Sequence, residues 1–93
     1  MRSFLVSFKS NNQEDYSIVA DRIRQTYDKW ARIIDNVWIV NSDNPLTEIR
    51  AGISNIISEH NGIVLVVDIT GDAWGTYSVD KEVTDWMKEN IKV

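Results

Sequence analysis

The chain has 93 residues, 43% of them apolar and 26% charged, with a net charge of −4 and no cysteine. A chain this short makes one small domain that buries only about 60–65% of its unfolded surface, so it gains from association, and its composition excludes disorder. The missing thiols exclude disulfides, thiolate metal sites and cysteine nucleophiles and fit a reducing, cytoplasmic setting, while the acidic balance disfavours a broad footprint on nucleic acid.

The opening MRSFLVSFKS has neither the long apolar core nor the small-residue cleavage pattern of a signal peptide. No apolar run approaches the roughly 20 residues that span a bilayer, so no membrane partner is expected. Arg2 to Lys9 predicts a strand. Phe4, Val6 and Phe8 fall on one face, and Ser3, Leu5, Ser7 and Lys9 on the other. Ser10 to Asn12 is a turn, with Asn12 as N-cap and Gln13, Glu14 and Asp15 in the first turn of a helix. Tyr16, Val19, Ala20, Ile23 and Tyr27 continue that helix to near Asp28.

Trp30 to Ile34 and Val37 to Asn41 predict two strands joined at Asp35-Asn36. Asn44-Pro45 starts a second helix, striped by Leu46, Ile49, Ile53, Ile56 and Ile57 and stopped by Gly62. Ile63 to Ile69 is so apolar that a well-covered strand is expected. Thr70-Gly71-Asp72 breaks it. Val79, Val83, Trp86 and Met87 then predict a final amphipathic helix within Ser78 to Asn90.

The order strand, helix, strand, strand, helix, strand predicts an α+β, ferredoxin-like βαββαβ domain over 1–93. It would have a four-stranded antiparallel sheet, both main helices on one face and an extra C-terminal helical tail at about 78–91. The first and third strands are expected at its centre, parallel to each other. The open face is assigned Leu5, Trp38, Val40, Val64 and Val66, too apolar to stay wet. A second subunit, helped by the tail, is the expected cover.

The segments MRSFLVSF, DKWARIIDNVWIV, NPLTEIRAGI and LVVDITGDAWG together resemble the SinR-like branch of the CRISPR-associated protein two superfamily, from Met1 to about Gly75. The tryptophan in VWIV and the ITGD-x-W stretch are its sharper parts. The resemblance implies a ferredoxin-like homodimer, and either metal-dependent nuclease activity or a structural role beside the spacer integrase. It also implies a metal-holding aspartate at the end of the first strand. Lys9 stands there instead, and an ammonium has no lone pair to offer magnesium.

Lys9, Asn11 and Asn12, where the first strand feeds the first helix, are the anion-binding candidates, weighed against a capped turn with a solvated lysine. Asp68 and Asp72, with Asp80 beside them, are the candidate metal ligands, weighed against an Arg2–Asp68 pair and an Asx turn at Asp72. His60, the only histidine, reads as a helix-end residue, and Glu14, Asp15 and Asp21 as a solvated face. Of four tryptophans, Trp74 follows Gly71-Asp72 in a loop. It is the expected partner-binding anchor, together with Trp38, Leu5, Val64 and Val66.

These features point to a non-enzymatic, cytoplasmic homodimeric binding or assembly module without cofactor, whose partner is a protein or nucleic acid. Three alternatives remain open. One is a metal-dependent endonuclease using Asp68 and Asp72. Another is a small acidic inhibitor whose carboxylates from Asp68 to Glu89 mimic nucleic acid. The last is a nucleotide binder at the Lys9 turn.

Overall fold

The computed structural model describes residues 1–91. Its elements are β1 (Arg2–Lys9), α1 (Glu14–Thr26), β2 (Lys29–Ile34), β3 (Val37–Ser42), α2 (Leu46–Ile57), a 3-10 turn (Ser58–His60), β4 (Ile63–Asp68) and α3 (Lys81–Asn90). The strands form one sheet in the order β2-β3-β1-β4, the order of a ferredoxin-like βαββαβ unit. Every neighbouring pair is antiparallel. β1 and β3 are central as expected, but they run antiparallel to each other. A strand, helix, strand crossover that skips one position leaves room for an opposed strand between its two parallel members.

Pairing explains the core. Phe4 faces Val40, and Val6 lies between Trp38 and Val66, so these side chains share one face of the sheet. Against that face α1 brings Val19, Ala20 and Ile23, and α2 brings Ile49, Ile53 and Ile57, all buried in one cluster with Trp38. Trp38, Val40, Val64 and Val66 therefore lie under the helices and not on the open face. Antiparallel partners directly opposite one another share a face, which fixes their side once the register is known. Of the expected open-face set only Leu5, opposite Ile39 and Val67, stays there.

Local chemistry sets the ends. Asn12 Oδ1 accepts from Glu14 N at 3.1 Å, so the asparagine closes an Asx-type turn just before α1 begins. At the end of α2 the left-handed residue is Asn61 (φ 53°), not Gly62. Gly62 is needed for closeness: a Cβ built there would sit 2.4 Å from Ile57 Cγ1. α3 starts three residues later than the periodicity implies, after Ser78 takes a positive φ of 58°.

The tail packs on its own sheet. Met87 and Ile91 are buried against Ile39, with Ile33, Ile69, Trp74, Val83 and Trp86 around them. This covers the β2–β3 half of the open face only. β4 alternates exposed and half-buried residues, leaving Ile63, Leu65 and Val67 in solvent. The expectation of a well-covered fourth strand fails there, because α2 covers one face of β4 while α3 lies toward β2.

Candidate functional site

The boundary between the covered and bare halves of the open face is a groove of about 310 Å³. Its floor is Leu5 and Ile39, and its walls include Trp74, Tyr77, Val79 and Met87. The segment from Ile69 to Asp80 builds the wall. Ile69 N donates to Ser3 O at 2.9 Å, and a turn closes from Asp72 N to Ile69 O at 3.1 Å over Gly71, whose φ of 78° suits glycine. Trp74 is half-buried against the Ile39–Met87–Ile91 cluster, while Tyr77 is 92% exposed at the rim. Asp72 and Thr76 also line the groove. A concavity this apolar suits an apolar side chain of a partner better than a polar metabolite, which needs several converging donors and acceptors.

The turn between β1 and α1 is knitted to the end of α2. Ser10 Oγ donates to Asp15 Oδ2 at 2.6 Å, and His60 Nδ1 lies 2.8 Å from the same oxygen. His60 Nε2 is 3.4 Å from Asn12 Nδ2, and Asn11 N donates to His60 O at 3.3 Å. Asp15 is 2% exposed and so is no part of a solvated face. The Ser10 hydroxyl bond and, after it, the His60 contact hold its carboxyl below the usual carboxylate range despite burial. Lys9 is exposed at the end of β1. The amides of Asn11, Asn12, Glu14 and Asp15 are taken by internal acceptors. Asp15, in the first turn of α1, directs its own carboxylate to Ser10 and His60, beside the turn that holds Lys9, Asn11 and Asn12.

Asp68 is engaged on both oxygens. Arg2 Nε donates to Oδ2 at 2.6 Å, and Thr70 N to Oδ1 at 3.0 Å. The Thr70 amide and hydroxyl, then Arg2, lower its pKa to about 2. Asp72 is exposed in its turn, and Asp80 immediately precedes α3. Among the described residues no group of three or more histidine, aspartate or glutamate side chains gathers within metal-ligating reach. A pKa depressed in the folded state stabilises above the unfolded value of 3.8, and that contribution is lost as pH falls toward about 2. Asp68→Asn should therefore flatten the loss of stability between those two values in acid titrations followed by circular dichroism. An unchanged acid limb would contradict the pairing.

The tryptophans divide by place. Trp38 is fully buried, its ring 5.6 Å from that of Trp30, with the Arg24 and Arg32 guanidiniums at 5.6 and 5.0 Å. It cannot meet a partner without unfolding. Trp86 packs in the tail cluster, and Trp74 alone sits on the groove. Val64 and Val66 turn inward, so the apolar residues offered to a partner by β4 are Ile63, Leu65 and Val67. Strand parity carried that signal. An apolar residue on both faces of β4 hid it, because nothing in the run says which face stays bare.

No protein-family model, no curated protein and no solved structure matches this chain. In the described residues no helix is long and apolar enough to cross a membrane.

Proposed function

We propose that the protein is a non-enzymatic homodimeric binding or assembly module, cytoplasmic and related to the SinR-like branch of the CRISPR-associated protein two superfamily. The groove beside Trp74 receives an apolar side chain of its partner. One observation carries this reading: the tail covers half of the open sheet face and leaves a walled apolar groove next to bare Ile63, Leu65 and Val67. Isolated exposed apolar residues are ordinary, but a contiguous strip beside a concavity marks an interaction surface. Lys9 at the end of β1 and the engagement of Asp68 by Arg2 and Thr70 weigh against the endonuclease alternative.

The discriminating experiment incubates the purified protein with magnesium or manganese and single- and double-stranded RNA and DNA. The expected result is no cleavage beyond that of a mock preparation. Robust cleavage that disappears in Asp68→Ala or Asp72→Ala would establish the nuclease instead.

A further inference from the structure

The two edges of the sheet are not alike. β2 carries Lys29 and Arg32, has a register irregularity between Arg32 and Ile34, and lies beside α3. Charge, bulges and covering elements are the devices that keep an edge from pairing with another chain. β4 is less guarded: α2 packs on one of its faces and Asp68 stands at its end, but the run from Ile63 to Val67 contains no charge and no proline, and its register with β1 is unbroken. Its exposed side chains, Ile63, Leu65 and Val67, are 66%, 58% and 39% accessible.

The backbone is set for pairing as well. Ile69 N donates to Ser3 O, so the peptide groups of alternate residues Ile63, Leu65 and Val67 turn toward β1. Those of Val64 and Val66 therefore turn to the free edge.

We propose that β4 is the self-association edge: two copies pair their Ile63–Asp68 strands antiparallel about a two-fold axis at Leu65, joining both sheets into one layer of eight strands. The proposal rests on the homodimeric reading above and names its surface. In this register Val64 and Val66 of one copy exchange hydrogen bonds with Val66 and Val64 of the other. Leu65 faces its own counterpart, and Ile63 faces Val67, so all three exposed side chains of each copy meet apolar neighbours. A slip of one residue would set outward peptide groups against inward ones and break the ladder. The antiparallel sense also separates the two Asp68 carboxylates, placing the Asp68 end of each copy toward the Lys9 end of the other. A second copy is the favoured occupant because the strand's donors, acceptors and apolar side chains match themselves under this symmetry.

The chain has no cysteine, so a single introduced thiol reports the geometry. Opposed non-hydrogen-bonded positions lie about 4.5 Å apart at Cα, within disulfide reach. Leu65→Cys under mild oxidation should give a covalent dimer quickly, whereas Ser17→Cys, exposed on α1, should not. Leu65→Lys should yield a monomer by light scattering with unchanged circular dichroism. A Leu65→Cys protein that cross-links no faster than Ser17→Cys, or a Leu65→Lys protein that stays dimeric, overturns the β4 edge while leaving the homodimer standing. A wild-type protein that is monomeric throughout overturns both.

Discussion

Trp38→Ala is expected to cost about 3–5 kcal/mol, the range for deleting a buried tryptophan from a core, and to leave little folded protein in so small a domain. The indole is fully buried at the centre of the helix-covered face, opposite Val6 and stacked at a tilt on Trp30. Removing it opens a cavity between β3 and the helices and takes away the ring that Arg24 and Arg32 approach. Its Nε1 makes no hydrogen bond with the described residues. Trp38→Phe keeps an aromatic ring and deletes that unpartnered donor, so it should cost much less, about 1–2 kcal/mol. Urea unfolding of the two variants measures the difference. Near-wild-type stability in Trp38→Ala would mean that the residue is not in the core.

Asp15→Ala is the second large effect, because one carboxylate closes the β1–α1 turn and ties it to the far end of α2. The substitution removes the acceptor of both Ser10 Oγ and His60 Nδ1 and leaves two polar groups without their partner. Loss of such a buried acceptor should lower the melting temperature by roughly 5–10 °C for a domain of this size. The pH dependence has a definite sign. The carboxyl is held below its ordinary value of 3.8, so its contribution is complete above that pH and fades as pH falls further. The gap between wild type and Asp15→Ala in thermal melts should therefore be widest above the ordinary value of 3.8 and shrink as pH falls below it. A constant gap would show that Asp15 acts only through packing.

The order of elements and the inward faces of β1, α1 and α2 were legible because each alternates cleanly at its own period. Phe4, Val6 and Phe8 against Ser3, Leu5 and Ser7 is a period of two, and Val19, Ala20 and Ile23 recur at helical spacing. The open face was not legible. β3 and β4 are apolar on both faces, so parity alone puts Trp38, Val40, Val64 and Val66 on the wrong side, and only the register with β1 places them under the helices. Asp15 was hidden for a different reason. An acid in the first turn of a helix is ordinarily a solvated residue favoured by the dipole. Its burial depends on Ser10 and on His60, which is 45 positions away. The cover provided by α3 was readable as amphipathicity, but which half of the sheet it would shield was set by where the loop from Ile69 to Asp80 lands.

Light scattering on the unmodified protein across a dilution series reaches the heart of the matter. A mass twice the 10.7 kDa of one chain, falling toward one chain only on strong dilution, is the expected outcome. A single-chain mass at every concentration, with Ile63, Leu65 and Val67 left permanently in water, would contradict it.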